Sequence, residues 1–357
     1  MYIAIEHKSG TPAYLQIYNE LRSRIVTGAF IKGARLPSKR ELARDCFVST
    51  VTVEHAYRLL CDEGFCEARA RSGIYVKYSP DSFFPVSEFC EGGTESLGGD
   101  ASGCEQIPFS VVSAMLRKVV LDKGERILMK SPNHGCYELR SAICRYLNRC
   151  RSITVSPEQI IVGSGAEYLY GICIQMLGRE KTVALESPSY EKIREVYTAN
   201  GAACDMLAMD GEGILVSELE RTGADILHVI PFNSFPSGIT ASAQRREAYL
   251  KWADRRGAVI IEDDYESEFT LNGKAPQTLF AQSTGENVIY INTFSKTIAP
   301  SIRAGYMILP RRLLPLYEST VGFYSCTVPM LEQYFLARWL DSGEFERTIS
   351  RIRNKTE

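Results

Sequence analysis

From residue 108 onward the chain alternates short, continuous Val/Ile/Leu runs with longer stretches of helical periodicity, and this rhythm limits the fold more than any other feature. The apolar runs fall at 159–162, 182–186, 204–208, 225–230, 258–262, 288–292 and 305–309, with helical patterns over 109–122, 135–149 and 165–177. A strand that is apolar on both faces must be covered on both. Runs of this kind separated by helices therefore read as buried, mostly parallel strands. The expectation is an α/β body with a sheet of about seven strands, whose ligands sit in the loops at the strand ends.

Several of those loops collect chemistry. The segment 288–303 runs from a strand into a hydroxyl-rich loop that carries Thr293, Ser295 and Lys296, with Arg303 seven residues further on. That set suits a phosphorylated aldehyde: the amine forms the Schiff base, and the hydroxyls and guanidinium take the phosphate. At 163–167 a Gly-rich turn opens a helix, so the amides of Gly165 and Ala166 offer an anion site at the helix N-terminus. Tyr190 follows another strand end, where its ring can lie against a planar ligand, and the polar turn at 231–238 around Asn233 offers amide and hydroxyl donors.

The fourth loop is Glu262-Asp-Asp-Tyr265. Consecutive acids repel one another, so a cationic partner is expected, and a protonated pyridine nitrogen is one. An aspartate there keeps the ring cationic, and Tyr265 can donate to the ring's phenolic oxygen. Taken singly, each of these segments also reads as something plainer: a surface Lys-Thr loop, a strand–helix turn, a packed aromatic, an ordinary polar loop or a solvated acidic turn.

The first eighty residues are organised differently. They hold 12 Lys/Arg against 8 Asp/Glu, which leaves −6 for the remainder of a chain whose net charge is −2. A small basic head on an acidic body points to a nucleic-acid partner at the N-terminus. Leu15, Tyr18, Leu21 and Ile25 recur at helical spacing from Pro12 to about Thr27. Ser38 and Glu41 have the spacing of a capping box, Ser49 caps a second short helix, and 65–76 reads as a basic two-stranded ribbon. Together these spell a winged helix-turn-helix, with a small α+β packing module as the plainer alternative.

Leu36-Pro-Ser-Lys-Arg-Glu-Leu-Ala43, Val48-Ser49, Ala56-Tyr-Arg-Leu-Leu60 and Glu63-Gly-Phe65 resemble the GntR-type DNA-binding domain over nearly all of 11–78. The resemblance implies DNA contacts from Arg35, Ser38, Arg40, Ser49, Thr50, Thr52, Arg71 and Gly73. That family often has arginine where Thr50 and Glu54 stand here, and a carboxylate facing phosphate would repel it. In the body, the order Gly165, Tyr190, Asn233, Asp263/Tyr265, Lys296, Arg303 resembles the fold-type I pyridoxal-phosphate (PLP) enzymes. Pro236-Ser-Gly238, Glu262-Asp-Asp-Tyr-Glu-Ser-Glu-Phe269 and Thr293-Phe-Ser-Lys296 are similar to the MocR group, in which a GntR-type head is fused to an aminotransferase-like body.

That resemblance covers almost the whole chain. It implies PLP as cofactor, with Lys296 as the Schiff-base lysine, Asp263 as the pyridine partner (Asp264 as fallback), Tyr265 as the O3′ donor and Tyr190 as the stacking ring. Thr293, Ser295, Arg303, Gly165 and Ala166 would hold the phosphate. It also implies a homodimer on a double-stranded DNA operator, with an amino acid or amine as effector. The expected domains are a head at 1–78, a linker at 79–107 and the PLP-binding body at 108–357. Only 61 residues follow Lys296, where the family continues into a C-terminal subdomain bearing the arginine that grips substrate carboxylate. The stretch 130–137 also departs from the family's glycine-rich equivalent.

Eleven cysteines without a CxxC pair argue for free thiols in a reducing compartment, and no run of about 18 apolar residues is present to cross a membrane, so the expected location is the cytoplasm. The functional expectation is a PLP-responsive transcriptional regulator. An aminotransferase with a vestigial head and a degenerate fragment that binds no cofactor are the alternatives.

Overall fold

The computed structural model describes residues 3–5, 11–69, 72–78, 109–264, 277–283, 286–295, 297–299 and 301–356. The chain divides into two compact units, Met1–Gly98 and Gly99–Glu357. The expected linker, together with Arg71, Tyr265 and Lys296, lies outside the described residues.

The head has three helices, α1 (Ala13–Val26), α2 (Lys39–Asp45) and α3 (Thr50–Asp62), followed by an antiparallel ribbon of β1 (Cys66–Arg69) and β2 (Gly73–Val76). Helix α1 buries Ile17, Tyr18, Leu21 and Ile25, which meet Leu42, Val53, Tyr57 and Leu60 in one core. Leu15 is only partly buried, and Ile17 completes the apolar stripe instead. Each of the two short helices starts on a serine. The Ser38 hydroxyl accepts the Glu41 amide at 3.2 Å, and the Ser49 hydroxyl accepts the Thr52 amide at 3.1 Å. Among the described residues only the forward half of the Ser38 capping box forms.

The body comprises α4 (Phe109–Lys123), α5 (Tyr137–Arg151), β3 (Ile160–Gly163), α6 (Ala166–Leu177), β4 (Thr182–Ser187), α7 (Glu191–Ala199), β5 (Ala203–Asp210), β6 (Gly213–Ile214), α8 (Val216–Arg221), β7 (Ile226–Val229), α9 (Ala243–Arg256), β8 (Val259–Asp263), α10 (Leu279–Gln282), β9 (Val288–Thr293), β10 (Gly305–Ile308), α11 (Leu314–Thr320), α12 (Met330–Asp341) and α13 (Glu344–Thr356). The sheet order is β3-β10-β9-β8-β7-β4-β5-β6. The pairs from β9 through β8, β7 and β4 to β5 are parallel, while β10 runs antiparallel between β3 and β9. The sheet thus has eight strands where seven apolar runs were counted. The eighth is the two-residue β6, too short to show a period, which turns back on the end of β5.

Strand alternation explains why the runs are continuous. In β8, Ile260 faces the layer that contains Trp252 and Tyr249 of α9, and Ile261 faces the layer of α6 and α7; Leu227 and Ile226 of β7 divide the same way. Each such side chain contributes roughly 1.5–3 kcal/mol by leaving water, so a polar residue at either face would weigh on the whole sheet. Tyr290, Tyr306, Trp339 and Phe345 fill a further layer among α5, α12 and α13. No described helix is long and apolar enough to cross a membrane.

Candidate functional site

The three consecutive acids at the end of β8 find three different partners, because a strand turns successive side chains to opposite faces. The Glu262 carboxylate accepts the Leu279 and Phe280 amides, both at 2.8 Å, at the start of α10. Asp264 accepts from the Arg151 guanidinium at the end of α5 and from the Tyr290 hydroxyl at 2.8 Å, and its side chain is fully buried. Asp263 points the other way, into a cavity of about 570 Å³.

Asp263 is 3% exposed. Its Oδ2 accepts the Tyr170 hydroxyl and stands 3.9 Å from His228 Nε2, while Oδ1 has no hydrogen-bond partner among the described residues. Burial pushes this carboxyl up to about 7; the Tyr170 hydrogen bond opposes the shift and the Asp264 charge adds to it. Behind it, the Tyr197 hydroxyl and His228 Nδ1 are 2.6 Å apart, and burial pulls the imidazole down to about 3, so it is neutral. A buried acid with one bound and one orphaned oxygen suits a cationic donor, because a charge-assisted hydrogen bond would satisfy that oxygen and hold the carboxylate ionised.

The cavity wall also includes Ala166, Glu167, Thr293, Ser295 and Arg303. Gly165 precedes α6 with φ of +94°, and an added Cβ would stand 3.3 Å from the Arg303 guanidinium. The glycine thus lets an arginine lie across a helix N-terminus, where the first amides have no intrahelical acceptor. Two of the donors inferred from sequence are otherwise engaged: the Gly165 amide bonds the Gly163 carbonyl at 2.9 Å, and the Ser295 hydroxyl donates to the Ile302 carbonyl at 2.7 Å. Ala166, Thr293 and Arg303 remain as the anion-facing set. The arginine is half exposed, with Glu167 3.9 Å away as its counter-charge.

Tyr190 caps the start of α7 and meets Phe235 edge to face, ring centroids 5.8 Å apart, and both line the cavity. Asn233 is exposed, with φ of +52° and its amide bonded to Thr240 Oγ1 at 3.1 Å, and it is not part of the described wall. Sequence reasoning passed over Tyr170, His228, Tyr197 and Phe235. An aromatic on a helix or a lone histidine in an apolar strand reads as core, and only the fold brings them to Asp263. Among the described residues no cluster of metal ligands occurs.

In the head, Arg35, Ser38, Arg40, Ser49 and Thr50 are exposed, and Thr52 is half-buried with its hydroxyl 2.8 Å from that of Ser49. Gly73, at φ of +130°, lies under Arg35, whose Nε would be 2.9 Å from an added Cβ. Glu54 does not stand as a bare charge: Lys39 Nζ contacts it at 2.5 Å and, by that hydrogen bond, holds its carboxyl below the ordinary range. Lys39→Ala is therefore expected to weaken binding to duplex DNA about tenfold at moderate salt, since it removes a cation and releases an anion at once. Lys39→Ala/Glu54→Ala should regain most of that in a gel-shift titration. Equal affinities for the single and double variants would mean that Glu54 does not face DNA.

The aminotransferase class I and II family profile matches residues 100–356, and the profile of bacterial regulatory proteins of the gntR family matches residues 13–76. The uncharacterized HTH-type transcriptional regulator YdeL of Bacillus subtilis is 31% identical over 96% of this chain and 76% of its own length. The HTH-type pyridoxine biosynthesis transcriptional regulator PdxR of Corynebacterium glutamicum is 28% identical over 98% of this chain and 78% of its own length. Among solved structures, LysN, an α-aminoadipate aminotransferase from Thermus thermophilus complexed with N-(5′-phosphopyridoxyl)-L-leucine, superposes with a TM-score of 0.62. It is 25% identical over 70% of this chain, which spans 64% of that enzyme's length.

Proposed function

Since this chain belongs to the aminotransferase class I and II family and carries a gntR-family head, we propose that it is a PLP-responsive, DNA-binding transcriptional regulator of the MocR type. The observation that carries the reading is the orphaned, buried oxygen of Asp263 facing a cavity that has Arg303 and the start of α6 in its wall. The residues present fit PLP. Asp263 would take the pyridine nitrogen, Tyr190 would cover a ring face, and Ala166, Thr293 and Arg303 would take the phosphate. Lys296 would supply the amine and Tyr265 the phenol donor. When bound, PLP supplies an aldehyde that condenses with amines and a ring that withdraws electrons from the carbon attached.

The chain's own groups act around that chemistry. Tyr170 fixes the orientation of the Asp263 carboxyl, neutral His228 and Tyr197 keep a second charge out of its surroundings, and Ile193 and Ile230 keep the cavity wall apolar. On this reading the head at 1–78 is joined through 79–107 to the body at 108–357. The protein acts as a homodimer in the cytoplasm, and an amino acid or amine entering the cavity changes how the heads engage an operator. The alternative of an aminotransferase with a vestigial head drew on Glu54, and Lys39 stands beside that carboxylate as a counter-charge.

Titration of the full chain with PLP should produce a visible absorption band that is absent from Lys296→Ala, and an operator-binding shift that depends on the same lysine. Identical spectra for the two proteins would remove the basis of the proposal. Steady turnover of an amino acid with a keto acid, without any effect on DNA binding, would favour the enzyme instead.

A further inference from the structure

The turn between α2 and α3 carries an anomaly that the DNA-binding reading does not by itself explain. The Val48 amide bonds the Ala43 carbonyl at 3.0 Å and the Phe47 amide bonds the Arg44 carbonyl at 3.3 Å, the paired bonds of a Schellman helix stop. Such a stop requires left-handed backbone at the residue beyond the cap, normally glycine or asparagine. Here it is Phe47, at φ of +57°. A phenylalanine resists that conformation, yet this one gains no packing in return, since it is 81% exposed. Four residues on, in the first turn of α3, Val51 is 72% exposed. Ser49 and Thr52 turn their hydroxyls to each other, so at this end of the helix exposed apolar carbon stands on either side of Thr50.

The surroundings say what covers these two side chains. Arg40 on α2 and Arg58 on α3 are exposed, as are Lys39 and Arg44, which pair with Glu54 and Asp45; a surface this charged suits a phosphate-lined groove and disfavours an apolar protein partner. In the major groove, the apolar feature presented by a base pair is the C5-methyl of thymine. We propose that Phe47 and Val51 form a thymine-methyl reader, so that the operator carries T·A pairs at the positions these two side chains face. The strain at Phe47 is retained because glycine or asparagine, though easier for the turn, would present no apolar surface to a methyl group. The inference rests on the head binding duplex DNA.

The test uses the full chain and a duplex enriched by it from random-sequence DNA. Each thymine is replaced in turn by deoxyuridine, which removes only the methyl group. Wild-type protein should lose about three- to tenfold in affinity at one or two positions. Phe47→Asn, which suits the turn, should bind the enriched duplex that much more weakly and no longer distinguish thymine from uracil at one of them; Val51→Ala should do the same at the other. Amide exchange in α2 and α3 of Phe47→Asn should slow about fivefold, because the turn is relieved. A wild-type protein indifferent to every methyl overturns the proposal while leaving DNA binding intact. If no duplex is enriched, the DNA-binding reading falls and takes the proposal with it. Faster amide exchange in Phe47→Asn would make Phe47 a structural residue and overturn its role. Variants that change the sedimenting mass but not DNA affinity would assign the apolar pair to contacts between copies, which also overturns it.

Discussion

Asp263→Asn is expected to raise the Kd for PLP about a hundredfold or more and, at the same time, to stabilise the cofactor-free body above neutral pH. The first effect follows from burial. A cationic ring nitrogen brought against a neutral amide loses a charge-assisted bond inside a low-dielectric wall, a change worth roughly 3–5 kcal/mol, or two to four powers of ten. The second effect has a sign that can be worked out. The folded carboxyl titrates at about 7, against 3.8 ordinarily. Between those values the folded chain holds a proton that the unfolded chain has released, so this group's contribution is full below about pH 4, declines as pH rises, and is gone above about pH 7.

Asparagine carries no such proton and still accepts from Tyr170. Thermal unfolding of the two cofactor-free proteins at pH 5, 6, 7 and 8 should therefore diverge as pH rises, with the variant about 5 °C higher at pH 8. Parallel curves would show that Asp263 does not titrate in that range. PLP affinity unchanged within threefold would remove it as the ring's partner.

How much of this was legible in the sequence depends on the distance over which each feature acts. The seven apolar runs mark seven strands, because a strand buried on both faces writes its environment into consecutive residues. The eighth, Gly213–Ile214, exists only because the end of β5 is there to pair with, and nothing local announces it. The acidic triplet is visible as a triplet, and so is the need for partners. Which acid faces the cavity is decided by the pleat of β8 and by what lies across from it: α10 for Glu262, Arg151 for Asp264. Asp264 stands in the sequence as the fallback for the ring, and it is Arg151, 113 residues earlier in the chain, that holds it elsewhere.

The cavity's remaining groups show the same limit. Gly165 reads as a turn glycine, and the structure adds that its missing Cβ makes room for Arg303. Ser295 reads as a phosphate donor, but its hydroxyl is turned to the Ile302 carbonyl, a contact that only the folded loop defines. In the head, Glu54 looks like a departure hostile to DNA until Lys39, 15 residues away, is found beside it. Periodicity and caps are local and therefore readable. Charge compensation and donor availability are settled across the fold.

The largest stability effect is expected at Arg151. Its side chain is 1% exposed, that of Asp264 is fully buried, and the pair joins the end of α5 to the end of β8 with Tyr290 as a second donor at 2.8 Å. Arg151→Met keeps most of the apolar stem but leaves the Asp264 carboxylate buried without its guanidinium, which should cost about 3–5 kcal/mol and lower the cofactor-free unfolding temperature by on the order of 10 °C. Adding Asp264→Asn removes the stranded charge while keeping an acceptor for Tyr290, so the double variant should regain at least half of the loss. The recovered protein also separates the two aspartates functionally. Because Asp263, and not Asp264, faces the cavity, the double variant should bind PLP within about threefold of wild type at a temperature where both are folded. A double variant that is folded yet blind to PLP would mean that the Arg151 pair acts on the cavity through β8, whereas an Arg151→Met protein as stable as wild type would mean that Asp264 is neutral in the fold.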